Sequence, residues 1–235
     1  MYRVEKEHWW FVARLRILLH YLATRLAPPP QTRVLDVGCG TGAILEELSS
    51  RYRASGIDPS PQAVEFCRRR GLTNVRAGML HELPDERAFD LITMLDVVEH
   101  VDDDVGLLRE ARRRLVPGGR VLIAVPAFPS LWSTHDEVLH HRRRYTRATL
   151  RRALQEAGFH IEHLTHFNML LFPVAVLRRI AGTVTRAKPM NDLEIPAPLL
   201  NRALTRVFAL EKPLLPKATL PFGLSLLCLA RSENP

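Results

Sequence analysis

The chain of 235 residues, 46% hydrophobic and 25% charged, has the balance of an ordinary soluble domain and the length for one well-buried core with at most a small appendage. Its net charge of +8 points to an anionic partner. Only Lys6, Lys188, Lys212 and Lys217 are lysines among 33 basic residues, however, and an arginine excess of that kind follows genomic base composition as readily as nucleic-acid binding. Cys39, Cys67 and Cys228 lie far apart without a CxxC pair, which excludes a zinc ribbon or a disulfide framework and favours a reducing cytoplasm.

The opening "MYRVEKEHWWF" places acids and aromatics before the first apolar run, unlike a signal peptide, and no apolar run approaches the roughly 20 residues of a spanning helix. The chain is therefore expected in the cytoplasm, or at most at a membrane surface. "WWFVARLRILLHYLATRL" (9–26) has helical periodicity and stops at "APPP". "RVLDVG" is a short strand, followed by a glycine turn and the helix "AILEELSS". "YRASGID" reads as a second strand, and "SPQAVEFCRRRG" as a helix with a serine cap, an early proline and a terminal glycine. "NVRAG" and "FDLITML" are the third and fourth strands. A helix around 104–115 ends at "VPGG" and feeds a fifth strand, "RVLIAVP". Beyond Pro126 come a helix "RATLRRALQEAG", a strand "FHIEHLTHFN", a proline-punctuated stretch (168–218) and a last strand-like run, "FGLSLLCLAR". This alternation predicts an α/β fold, a Rossmann-like doubly wound, mostly parallel sheet with helices on both faces, binding its ligand beyond the carboxyl ends of the strands.

"LDVGCGTGA" (35–43) follows a strand and opens a helix. Gly38 and Gly40 permit a tight turn and a close ligand approach, and the helix start offers free N–H groups. Alone the pattern also fits a dinucleotide fingerprint. Asp58, 22 residues after Asp36, ends the second strand where a carboxylate can accept both hydroxyls of a ribose. Asp36, just before the first glycine, suits a ligand with an ammonium group and would repel a pyrophosphate.

With "SGIDPSP", "FDLITMLDVVEHV" and "LLREARRRLVPGGRVLIAVP" in the same order, residues 33 to 126 resemble the class I S-adenosylmethionine-dependent methyltransferases, in the branch that includes the ubiquinone-type O-methyltransferases. The resemblance implies a seven-stranded sheet with one antiparallel C-terminal strand. It implies S-adenosylmethionine with Asp36, Gly38, Cys39 and Gly40 near its methionine part, Asp58 and Pro59 at the ribose, Met79 and Leu80 beside the adenine, and Leu95 and Asp96 at the strand-4 tip. Where the family often carries an acid for the adenine amine, this chain has "GMLHE", leaving backbone groups of Met79 and Leu80 for that contact.

"DVVEH" (96–100) follows strand 4, where the transferring methyl lies. Asp96, Glu99 and His100, at i, i+3 and i+4, would share one face of a helical turn. In the resembling quinone enzymes the equivalent acid-x-x-Glu-His has been taken as a divalent metal site. Here a metal is not favoured, and His100 is either an acid–base or substrate-orienting group or a structural one. "HDEVLHHRRRYT" (135–146) spaces its histidines poorly for a metal and reads as an acceptor-site wall. His135 is expected to face the site, His140, Arg143 and Tyr145 to contact the acceptor, and one arginine to pair Asp136 or Glu137. Thr146 or a neighbour caps the next helix, and "DDD" (102–104) caps the one before. Trp9 and Trp10 cannot both face one core stripe, so the N-terminal helix (1–30) is expected to act as a lid over 31–235. Similar "HWWF" starts in the branch go with sugar, lipid-glycan and secondary metabolism.

The segment 168–218 is expected to cover the acceptor pocket or a dimer contact. Within it "NMLLFPVAVLRRIAGTVTR" is alternatively an amphipathic helix for a lipid-linked acceptor. The sequence thus predicts methyl transfer to a small-molecule acceptor, anionic or lipid-linked: a hydroxyl of a secondary metabolite, quinone, sugar or lipid-linked precursor, with the protein a monomer or homodimer. An RNA methyltransferase and a non-catalytic cofactor-binding protein are the alternatives. "MLDVV" lacks the Asn/Asp-Pro-Pro-aromatic stretch of enzymes that methylate base amines, and a dehydrogenase is disfavoured by Asp36.

Overall fold

The computed structural model describes residues 2–84, 87–177 and 194–233, and at His135 the backbone only. A seven-stranded sheet runs through it: β1 (Arg33–Val37), β2 (Arg53–Asp58), β3 (Val75–Ala77), β4 (Phe89–Leu95), β5 (Leu115–Pro126), β6 (Phe159–Phe167) and β7 (Ser225–Ser232). Their order is β3-β2-β1-β4-β5-β7-β6. The first five are parallel, and β7 is antiparallel to both β5 and β6. The order reverses between β1 and β4, and at that switch point the carboxyl ends of neighbouring strands diverge and leave a crevice.

The helices follow the apolar periodicities. On one face lie α4 (Asp104–Arg114) and α6 (Arg147–Glu156), whose Leu108, Ala111, Leu150 and Leu154 pack on Val121, Ile123 and Val125 of β5. On the other lie α1 (Trp9–Arg25) and α2 (Ala43–Ser49), with α3 (Pro61–Arg69) adding Cys67. Leu122 and Ala124 of β5 face this second layer, which is the alternation of a central strand. Ser60 caps α3 by accepting the Ala63 N–H, Asp103 caps α4 through Gly106, and Thr146 caps α6 through Thr149. A short α5 (Thr134–Val138) follows β5, and α7 (Pro198–Ala209) precedes β7.

One boundary and one packing role differ from the sequence reading. β5 begins at Leu115 rather than Arg120, because Leu115 pairs with Phe89 ahead of an irregularity in register, so "VPGG" is absorbed into the strand. α1 is more than a lid: Ala13, Ile17, Leu18, Tyr21 and Leu22 are buried in the second core. Trp9 packs edge-on against Phe208 of α7, and Asn201 accepts its N–H. No helix among the described residues is long and apolar enough to cross a membrane. Residues 178–186 of the amphipathic segment read from the sequence lie outside the described residues.

Phe208, fully buried, also stacks on Phe167 at the end of β6. Phe208→Ala is expected to lower unfolding free energy by about 3–5 kcal/mol, the range for truncating a buried aromatic, read as an earlier urea midpoint at unchanged slope.

Candidate active site

At the end of β1 the chain turns through Gly38, Gly40 and Gly42, all with positive φ (68°, 54° and 85°). A β-carbon on Gly38 would lie 2.5 Å from Val97 Cγ2, whereas one on Gly40 would meet nothing within 4 Å. The loop is therefore closed beneath and open above, a cradle that leaves backbone exposed to a ligand. Asp58 fastens it to β2: its Oδ2 accepts the Gly40 N–H at 2.8 Å and its Oδ1 the Ser60 N–H at 2.9 Å. Cys39 turns beneath the loop, its Sγ 4.0 Å from that of Cys67. Pro59 is exposed, as is Met79 at the end of β3, while Leu80 is buried and Leu95 half-buried.

Residues 2–8 fold over this loop. Glu5 accepts from the Thr41 hydroxyl and pairs with Arg70 at 2.7 Å, and Arg70 also donates to the Thr41 carbonyl. Behind the strap, Arg14 of α1 reaches the switch point, 4.8 Å over the Trp10 ring and 2.9 Å from Asp96 Oδ2. Its Nε and Nη2, though buried, make no directed hydrogen bond. Asp36 is buried on β1 and accepts from the Thr93 hydroxyl of β4 at 2.6 Å. Burial pushes its carboxyl up to about 7, against the opposing pull of Thr93 and then Arg14.

Beyond β4, Asp96 takes a left-handed backbone (φ 59°), and the single turn that follows covers Val98–His100 alone. Asp96, Glu99 and His100 therefore do not share the helical face expected from their spacing: Asp96 points to Arg14 while Glu99 and His100 go elsewhere. Glu99 is fully buried, and neither carboxylate oxygen has a hydrogen-bond partner. Burial, then the charge of Asp96, raises its pKa well above the carboxylate range.

The loop after β5 comes to meet it. Asp136, fully buried, accepts from the Ser133 N–H and hydroxyl, from Arg144 Nε at 2.7 Å and from His141 Nδ1 at 2.9 Å. Burial alone would raise its pKa, but these partners outweigh it and hold the carboxyl well below its ordinary value. The Arg142 N–H donates to the Glu99 carbonyl at 2.7 Å, and the His141 ring meets that of His100 edge-on at 4.8 Å. Desolvation, then the neighbouring His141, lowers the His100 pKa, so its imidazole is uncharged at neutral pH. Ligand atoms of Glu99, His100 and His141 lie within 4.8 Å of one another.

The arginine–carboxylate pair expected in "HDEVLHHRRRYT" is thus Arg144 with Asp136. Arg143 donates to the Val101 and Asp102 carbonyls and lies 3.3 Å from Asp104, and the buried Tyr145 donates to Asp104 at 2.7 Å, so both brace the turn after β4 from behind. His140 is exposed with a left-handed backbone, and the His135 side chain lies outside the described residues. Trp10 lies beneath Arg14, whereas Trp9 packs on α7. Sequence reasoning missed Arg14 and His141, and named Asp136 only as one of two partners for an arginine. Arg14 was findable, being a charge on the stripe Trp10, Arg14, Ile17, Leu18, Tyr21 at helical spacing. Nothing local separates His141 from His140.

The raised Asp36 carboxyl has a sign for stability. An unfolded aspartate ionises near pH 3.8 and this one near 7, so folding is opposed increasingly from about pH 4 up to 7 and by a constant amount above. Asp36→Asn, which keeps an oxygen for Thr93, is expected to melt higher than the parent at pH 8 and equally at pH 4. An unchanged difference across that range would contradict the assignment.

A methyltransferase-domain family model matches residues 8–164. A ubiquinone biosynthesis O-methyltransferase of Xanthomonas axonopodis pv. citri is 30% identical over 171 residues, covering 63% of this chain and 71% of that enzyme. An uncharacterized 37.1 kDa protein in transposon TN4556 of Streptomyces fradiae is 37% identical over 127 residues. The match covers 50% of this chain but only 36% of that protein, and the 34% identical O-methyltransferase of Xanthomonas campestris pv. campestris is spanned over 48% of its length. In fold, the chain is similar to the solved complex of the Haloferax volcanii Trm112 methyltransferase activator with a putative methyltransferase (TM-score 0.64, 22% identity, covering 98% of this chain and 92% of that one). It is likewise similar to a SAM-dependent methyltransferase from Archaeoglobus fulgidus (TM-score 0.58, 22% identity, 92% and 94% covered). The chain belongs to the methyltransferase-domain family, and its seven-stranded sheet is the Rossmann-like sheet of the class I S-adenosylmethionine-dependent methyltransferases.

Proposed function

We propose that the protein transfers the methyl group of S-adenosylmethionine to a hydroxyl of a small-molecule acceptor. The observation that carries this reading is the convergence of the open glycine cradle, Asp36, Asp58 and Arg14 on one end of the sheet. The cofactor supplies, when bound, a methyl on a positively charged sulfur. Asp36 suits its ammonium, Arg14 with its unsatisfied N–H groups its carboxylate, and Asp58 its ribose. Backbone beside Met79 and Leu80 takes the adenine, and the strap of residues 2–8 with the first turn of α1 serves as the lid.

In-line transfer asks the protein chiefly for alignment and the exclusion of water. The acceptor is held in the space beyond β4 and β5, with its hydroxyl toward His100 and His141, the imidazoles placed to draw off its proton. Phe128, stacked on His166 at 5.2 Å, and Phe172, 5.5 Å from Phe128 and 5.4 Å from Phe222, form an aromatic wall at the same end of the sheet. Such a wall favours an acceptor with a planar or apolar body, in keeping with the relatives that bear the name of ubiquinone biosynthesis.

Calorimetry with S-adenosylmethionine is the first test. Micromolar binding is expected, weakened at least tenfold by Asp58→Ala and by Arg14→Ala, with NAD failing to bind. Because Asp36 serves as a carboxylate and titrates near 7 in the free protein, affinity is expected to fall toward tenfold per unit below pH 7, and to fall again above about pH 8 as the ligand's α-ammonium loses its proton. Transfer of labelled methyl to phenolic hydroxyls but not to RNA would support the acceptor class. Binding of NAD alone, or label appearing in RNA, would overturn the reading.

A further inference from the structure

We propose that Cys39 and Cys67 form an oxidisable thiol pair whose disulfide shuts the glycine cradle against its ligand. Cys39 stands inside the cradle between Gly38 and Gly40, and Cys67 lies in the last turn of α3. Their sulfurs are 4.0 Å apart, both thiols are free, and both belong to the second core layer. Glycines make the room for them. A β-carbon on Gly56 of β2 would lie 2.9 Å from Cys39 Sγ, and one on Gly42 would lie 2.9 Å from Cys67 Sγ. Cys67 also donates its S–H to the Gly40 carbonyl at 3.2 Å, so the reduced thiol is itself part of the cradle's support. Cys228, the third cysteine, sits apart in the first core layer.

To reach the disulfide length of about 2.05 Å the sulfurs must close by roughly 2 Å. Glycines of positive φ (68° and 54°) flank Cys39 on both sides, whereas Cys67 is held in a helix. The loop therefore moves toward α3. That movement pulls against the Gly40 N–H bond to Asp58 and removes the S–H that the Gly40 carbonyl accepts. Arg70, just beyond Cys67, holds both the Thr41 carbonyl and Glu5, so the displacement is passed on to the strap. Cys39 keeps 7% exposure and Cys67 none, so a small oxidant meets Cys39 first. A peroxide gives one oxygen to Cys39 as a sulfenic acid and leaves as water. Cys67 then attacks that sulfur, and the oxygen departs with the Cys67 proton as a second water. One S–S bond replaces two S–H bonds, and one peroxide is reduced. The hydrogen bond with Cys39 outweighs burial and lowers the Cys67 pKa, which suits Cys67 to the attack. The pairing rests on geometry alone; its effect on the cofactor rests on the methyl-transfer reading above.

The test treats the full chain with hydrogen peroxide, with and without S-adenosylmethionine, then denatures and alkylates it for mass spectrometry. Reduced protein is expected to take three labels and oxidised protein one, on Cys228, with the Cys39 and Cys67 peptides joined. Calorimetry on the oxidised form should show S-adenosylmethionine binding weakened on the order of tenfold and restored by dithiothreitol. By linkage, bound S-adenosylmethionine should disfavour the disulfide to a similar degree. Cys67→Ser keeps a hydroxyl to donate to Gly40 and lacks the sulfur, so it should bind like the reduced parent before and after peroxide. Cys228→Ser should respond as the parent does. Melting curves establish that each variant is folded, and the label count on the parent stands without them. Three labels on peroxide-treated parent, a disulfide that leaves cofactor affinity unchanged, or a loss of affinity that persists in Cys67→Ser overturns the proposal. A parent that forms the disulfide yet binds no S-adenosylmethionine when reduced would instead overturn the methyl-transfer reading and leave the thiol pair in place.

Discussion

Three carboxylates converge where β1 and β4 part, and one buried guanidinium pairs with the middle of them, Asp96. Asp36 comes from β1, Asp96 and Glu99 from the turn after β4, and Arg14 from the second turn of a helix that otherwise belongs to the core. In that low-dielectric crevice burial first, and neighbouring negative charge after it, favours the neutral forms of Asp36 and Glu99. Arg14 offsets part of that charge and draws Asp96 into a left-handed backbone that costs roughly 1 kcal/mol. The Asp96 N–H bond to the Ala124 carbonyl at 2.9 Å helps hold it there.

A second buried carboxylate organises the other half of the same edge. Asp136 gathers Ser133, His141 and Arg144, and Arg144 reaches on to the Ala127 carbonyl, so the loop after β5 is tied back to the strand it leaves. The Arg142 N–H then joins this loop to the turn that carries Glu99. The two halves meet at Glu99, a group buried by both and satisfied by neither. The first centre depends on a side chain reaching across from distant sequence, the second on partners gathered within one loop.

That division explains what could be read in advance. Strands and helices over 33–126 follow local periodicity and caps, so β1 to β4, α3 and α4 appear where the pattern puts them. β5 gains its first residues only because Phe89 offers Leu115 a partner, a contact that "VPGG" by itself argues against. The glycine loop and Asp58 were legible because their roles are set by spacing from strand ends. The trio Asp96, Glu99 and His100 misled for the converse reason: i, i+3, i+4 logic assumes a helix, and one positive φ at Asp96 cancels it. His141 rather than His140 meets the strand-4 tip because of Asp136 and Arg144, contacts that become visible only when the loop is folded.

Fold likeness does not decide the chemistry either. The [4+2]-cyclase SpnF shares this fold at a TM-score of 0.60 and 20% identity, so the same sheet carries reactions with different demands. What distinguishes such proteins lies beyond the cofactor crevice, in the loop after β5 and in the return from β6 through α7 to β7. In this chain those segments bring the aromatic wall of Phe128, Phe172 and Phe222 to the same end of the sheet as the Glu99–His100–His141 cluster. An apolar wall orients a planar body but cannot activate a hydroxyl, and the polar cluster can activate a hydroxyl but cannot choose among planar bodies. On the proposed function, acceptor selection and acceptor activation would fall to separate segments, and substitutions in the wall should alter which molecule is accepted while leaving intact the groups that act on its oxygen.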